Sequence, residues 1–204
     1  MNNRIETRRI LIFLSLAFGI AWLTGLVIYL SGGLVNSPRL GPGVPLALIL
    51  LAVPYMWAPA LANILTRLLT REGWKDVGLR PNLHKGWPYW LMGWVLPALM
   101  TIAGAVVFFM LFRGFFDPGL ARVRQSMIGS PLFVRFSPWA VVGLQTLVAI
   151  VVSPIVNSLA TLGEEFGWRA YLLPKLMPLG WRQATLIMGV VWGVWHWPVI
   201  LMGY

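Results

Sequence analysis

Five stretches of this chain contain no Asp, Glu, Lys or Arg: residues 10–30, 40–66, 86–112, 136–163 and 183–204. Each exceeds the ~18–20 apolar residues that mark a membrane-spanning helix. In lipid the backbone must satisfy its own hydrogen bonds, so apolar runs of this length predict helices. Strands of a membrane barrel would run to about 10 residues with alternating polarity, a pattern absent here. The expected fold class is therefore all-α, a polytopic transmembrane helical bundle with about five spanning runs. We expect one membrane-embedded domain over residues 1–204.

Two of the runs are too long to stand upright. Twenty-eight helical residues reach about 42 Å, against a hydrocarbon core of about 30 Å. Pro154 predicts a kink in the fourth run, and Pro45, Pro54 and Pro59 predict breaks or bends in the second. Trp87, Trp90, Trp139 and Trp181 flank the spans and suit interfacial anchoring. The first run has 21 residues after a basic start at Arg4, Arg8 and Arg9. The apolar core of a signal peptide is shorter, about 7–15 residues, so an uncleaved first span is expected.

Composition agrees with the pattern. Of 204 residues 58% are hydrophobic and 11% charged, where globular domains average about 25% charged. The net charge of +10 lies between the apolar runs. With the N-terminus inside, eleven Lys and Arg fall in inside segments and five in outside loops. That asymmetry favours the N-in orientation, although the outside loop 113–135 carries four of the five. Basic loops lying against anionic lipid explain the charge, and nucleic-acid binding is the weaker reading. The chain has no cysteine, which excludes disulfides, Cys-zinc sites and thiol catalysis.

Two polar islands interrupt the apolar sea. The first is Gly163-Glu164-Glu165-Phe166-Gly167-Trp168-Arg169, with two of only six carboxylates. The second is Trp192-Gly193-Val194-Trp195-His196-Trp197, with one of two histidines. Ionisable groups at membrane depth are costly and mark functional sites by default. On a helix, Glu165 and Arg169 are four apart and share a face, while Glu164 points about 100° away. One carboxylate can thus be paired by Arg169 while the other faces a cavity as a base. Gly163 and Gly167, like Gly189 and Gly193, are spaced for close approach by another helix. Pro198 can open the helix beside His196. The bland alternatives are a solvated cap at the end of the fourth span and a neutral histidine bonded to a neighbouring helix.

If the islands converge, Glu164 can take a proton from a water attacking a carbonyl. His196 can position that water, bind metal or stabilise developing charge. A catalytic zinc takes about three protein ligands. Glu164 and His196 supply two, and His84, in Asn82-Leu83-His84-Lys85, reads as an ordinary solvated histidine.

At these residues the sequence resembles the CPBP (Abi-like) family of intramembrane proteases, which includes the CAAX prenyl and bacteriocin-processing proteases. Its Glu-Glu-x-x-x-Arg motif is matched by Glu164, Glu165 and Arg169. Its aromatic-x-x-x-His motif is matched by Trp192 and His196, with Trp in place of the commoner Phe. Trp57-Ala58-Pro59-Ala60-Leu61-Ala62 and Arg71-Glu72-Gly73-Trp74 are also similar to family segments. The resemblance implies a multi-pass membrane endopeptidase, integral to a bacterial cytoplasmic membrane, acting on membrane-associated peptide or protein substrates. By position, Glu164 would activate water, His196 would help hold it, and Glu165 and Arg169 would shape the site. The family is commonly called a metalloprotease, so a divalent metal such as zinc is one expected cofactor; a metal-independent glutamate mechanism is the other. Family members carry a third motif, His followed by Asn, on a later span. The chain ends at Tyr204 without it, so the expectation is a sequence incomplete at its C-terminus. The alternative is a catalytically inactive scaffold or bacteriocin-immunity protein of the same fold. A transporter path lined by Glu164, Arg169 and His196 ranks third, because no inverted repeat is visible.

Overall fold

The computed structural model describes residues 5–41, 43–75, 77–79, 82–129 and 136–204. Arg4, Arg80 and Arg135, three of the arginines counted for orientation, lie outside them. In chain order come α1 (Thr7–Leu30), a two-stranded hairpin (β1, Arg39–Leu40; β2, Val44–Pro45), α2 (Leu46–Leu50) and α3 (Ala58–Leu69). Then follow α4 (Leu83–Leu111), α5 (Ala121–Met127), α6 (Pro138–Val151) and α7 (Ser153–Gly167). The last helices are α8 (Leu173–Leu176), α9 (Trp181–Trp195) and α10 (Trp197–Leu201). The all-α expectation holds, with one short antiparallel pairing, Leu40 opposite Val44, among the described residues.

Three helical stretches are long and apolar enough to cross a membrane: Thr7–Leu30, Leu46–Leu69 and Leu83–Leu111. The broken pair Pro138–Val151 and Ser153–Leu179 makes a fourth if it is one span. The prolines act where the sequence placed them. Pro54 sits within a π-helical turn, Leu51–Tyr55, where the Met56 N–H reaches back five residues to the Leu51 carbonyl at 3.0 Å. Pro59 occupies the first turn of α3, where no N–H is needed. The fourth run breaks at Val152, just before Pro154. The fifth run differs from a single span. It divides at His196 into a 15-residue helix and a 5-residue helix. Pro198 has no N–H to continue the ladder, which accounts for the division.

The chain divides into two compact units, Met1–Leu79 with Ser158–Tyr204, and Arg80–Asn157. In the second unit α4 buries none of its side chains. It meets α6 through the Trp94 indole N–H, which donates to the Ile150 carbonyl at 2.7 Å. Ser137 caps α6, its hydroxyl accepting from the Ala140 N–H.

The first unit carries both polar islands. Within lipid no hydrophobic force drives helices together, so small residues that permit close packing decide where they meet. Ala17 and Ala21 of α1, and Ala58 and Ala62 of α3, are fully buried. They share one buried core with a cluster of aromatic rings. Phe13 meets the Trp168 ring edge-on at 5.5 Å; Trp168 meets Trp195 at 5.7 Å, and Trp195 meets Tyr55 at 4.6 Å. The Trp195 indole also donates to the Ala17 carbonyl at 3.3 Å.

One end of this unit is held by ions. Glu72 accepts from Lys175 at 2.7 Å and from the Tyr171 hydroxyl at 3.0 Å, with Arg9 and Arg67 within 3.6 and 3.8 Å. Glu6 pairs with Arg9 and with Lys175. Arg67, counted among loop cations from the sequence, is instead buried on α3, its Nε donating to Asn63 at 2.8 Å. Partial burial pushes the Glu6 carboxyl up, but its bonds to Arg9 and Lys175 outweigh this and hold it below the usual carboxylate range. A depressed carboxylate stabilises the fold above its unfolded pKa, and that contribution is lost as pH falls through the folded value. The thermal midpoint should therefore fall as pH drops below 4.5, the ordinary value for Glu6, and fall less in Glu6→Gln. Equal acid sensitivity in the two proteins would remove Glu6 from the clamp.

Candidate functional site

Two contacts bring the islands together at one residue. Trp192 of α9 donates its indole N–H to Glu164 Oε2 at 2.8 Å. Its backbone carbonyl lies 2.9 Å from His196 Nδ1. A carbonyl only accepts, so Nδ1 is the protonated nitrogen in this contact. In the neutral ring, Nε2 then keeps its lone pair for a water or a substrate atom. The imidazole stands edge-on to Trp192 at 5.1 Å and to Trp195 at 4.7 Å, held at nearly right angles to both.

The two carboxylates separate as helical geometry requires. Glu165 pairs with Arg169 one turn on, and both side chains are about half exposed. Glu164 is 7% exposed; among the described residues it accepts from an indole and pairs with no cation. The buried carboxylate therefore faces the histidine-bearing helix, while the paired one lies on another face.

Each group is positioned by backbone that cannot slide. Gly163 and Gly167 flank Glu164, and α7 runs directly against the chain entering α3. A Cβ on Gly163 would sit 2.7 Å from the Met56 carbonyl; one on Gly167 would sit 2.3 Å from Pro59 Cβ. Asn63 of α3 grips the same helix, its amide donating to the Phe166 carbonyl at 2.8 Å. A π-helical turn, Trp168–Leu172, follows at once; such turns recur at functional sites. On the other side, the Tyr55 hydroxyl donates to the Trp195 carbonyl at 2.7 Å, beside the break at His196. Gly25 of α1 admits Pro198, where a Cβ would sit 2.8 Å from the proline ring.

The second glycine pair behaves differently. A Cβ on Gly189 or Gly193 would meet nothing within 4 Å. The close approach expected there from the spacing is absent among the described residues. His84 lies exposed in the first turn of α4. No group of three or more His, Asp or Glu residues is placed to hold a metal ion among the described residues. Glu164 and His196 thus gather no third donor among the described residues.

Residues 139–204 match the family described as Type II CAAX prenyl endopeptidase Rce1-like. The matched stretch contains both islands. A stretch of 33 residues is 42% identical to the phosphatidylserine decarboxylase proenzyme of Rhodospirillum rubrum, over 16% of this chain. The chain spans only 14% of that relative's length, so the likeness carries no argument about activity. No solved structure matches.

Proposed function

With residues 139–204 Rce1-like in sequence and carrying both motifs of the CPBP proteases, we propose that this chain hydrolyses peptide bonds of membrane-associated peptides or proteins. The observation that carries the reading is Trp192, which bonds Glu164 through its ring and His196 through its backbone. Glu164 acts as general base. Its carboxylate takes a proton from water as the water oxygen bonds to the scissile carbonyl carbon. The same proton then passes to the amide nitrogen as the carbon–nitrogen bond breaks. Neutral His196 holds the water through Nε2, with Nδ1 fixed on the Trp192 carbonyl. Glu165 and Arg169 pair on the adjacent face and shape the entrance. The protein is integral to a bacterial cytoplasmic membrane with its N-terminus inside, as the distribution of Lys and Arg favours.

The test is direct. The native protein, reconstituted in vesicles with a membrane-anchored peptide, should generate new peptide termini detectable by mass spectrometry. His196→Ala should lower that turnover by about 10²-fold or more while the protein stays folded. Cleavage at the unaltered rate in the variant would remove His196 from the chemistry. No cleavage of any anchored peptide, with cellular function intact in the variant, would favour a scaffold.

A further inference from the structure

A second site lies at the arginine-lined end of the first unit. A cleft of about 510 Å³ opens between the start of α1 and the end of α3. Thr7, Arg8, Arg9, Thr70 and Arg71 line it, with Glu6 as its one carboxylate. Glu6 is already bound by Arg9 and Lys175. Arg8 and Arg71 are exposed and make no ion pair among the described residues. Counted over the described residues, the cleft is therefore left with uncompensated positive charge.

Two features of the backbone add to this. The first intrahelical bond of α1 runs from the Ile10 N–H to the Glu6 carbonyl. The N–H groups of Thr7, Arg8 and Arg9 precede it. No side chain caps this end, and its first turn holds no acidic residue. These amides and the helix dipole favour an anion. At the other wall, Arg71 adopts a left-handed conformation, φ 51°. It closes α3 in a Schellman turn, with the Glu72 N–H on the Arg67 carbonyl at 2.9 Å. That position favours glycine, so an arginine is held there against its backbone preference.

We propose that this cleft binds the phosphate of an anionic phospholipid headgroup. The shared chemistry is a phosphate ester or a free phosphate, and the surroundings select the lipid. Both walls are ends of membrane-crossing helices, Thr7–Leu30 and Leu46–Leu69, which places the cleft at headgroup level. Its rim carries exposed Ile5 and Leu69, apolar side chains that suit the glycerol and upper acyl region.

The full chain in detergent would be titrated with phosphatidylglycerol, with phosphatidylcholine of the same acyl chains, and with inorganic phosphate, bound lipids being counted by native mass spectrometry. The first phosphatidylglycerol should bind about tenfold or more tighter than phosphatidylcholine. Arg8→Gln and Arg71→Gly should each weaken it by about fivefold, and together erase the preference. Arg182→Gln, an exposed arginine of α9, should not. Because glycine suits the left-handed position, Arg71→Gly should keep or raise the thermal midpoint while losing lipid. Equal binding of the two lipids would overturn the proposal. So would a preference that survives the double variant, or inorganic phosphate that binds alone with the lipid's affinity.

Discussion

Glu164→Gln should slow peptide-bond cleavage by about 10²-fold or more while leaving the fold in place. The substitution keeps the size of the side chain and an oxygen that can accept from Trp192 Nε1, now 2.8 Å from the carboxylate. It removes the capacity to take a proton from water. General-base contributions run to about 10²–10⁴ in rate, and turnover should fall by at least that range's lower end. The thermal midpoint should stay close to that of the parent, because a nearly buried carboxylate has been exchanged for a neutral amide with the same acceptor. Glu165→Gln is the informative partner. Glu165 is paired with Arg169 on a half-exposed face, and losing an exposed pair changes stability by about 0–1 kcal/mol. Its effect on turnover should be much smaller than that of Glu164→Gln. Mass-spectrometric counting of cleaved peptide, with circular dichroism melts of each variant, reads both quantities. Equal loss in the two variants, or full turnover in Glu164→Gln, would reject the division of roles.

The contrast between these neighbours shows what the sequence disclosed and what it withheld. Their separation around the helix follows from 100° per residue, and the Glu165–Arg169 pair from a spacing of four. Apolar run lengths likewise disclosed the all-α class, and the prolines disclosed the breaks. The partner of Glu164 was not legible. Trp192 stood in the motif as an aromatic, but only tertiary packing aims its indole N–H at a residue 28 positions away. Tyr55 was hidden for the same reason, since its bond to the Trp195 carbonyl joins residues 140 apart. Asn63 and Arg67 left a fainter trace: polar residues four apart at the end of an apolar run. Read as one helix face, they would have indicated the grip on α7. The cluster around Glu72 gave no local signal, because its cations come from α1, α3 and α8.

Gly167→Ala should be the most damaging small substitution in the first unit. Sequence spacing treats Gly163/Gly167 and Gly189/Gly193 alike, as paired small residues on one helix face. The structure separates them by what stands opposite. At Gly167 an added methyl would lie 2.3 Å from Pro59 Cβ and 2.5 Å from the Pro59 carbonyl carbon and oxygen. The obstacle is a ring and a backbone in the first turn of α3, neither of which can rotate aside. Helix α7 must move instead, and the Asn63 bond to the Phe166 carbonyl must stretch or break. Overpacking of this kind costs about 1–3 kcal/mol, equivalent to a fall of about 2–12 °C in midpoint for a chain of this size. Glu164 sits less than one turn away, so the displacement should also draw its carboxylate from the Trp192 indole and lower turnover. Gly189→Ala is the control: its methyl would meet nothing within 4 Å. Alanine is the better helix former by about 1 kcal/mol, so that variant should melt no lower than the parent. Parallel melts of the two alanine variants in the same detergent read the difference. If both shift alike, α7 does not rest on Pro59, and Glu164 is not rigidly placed by it.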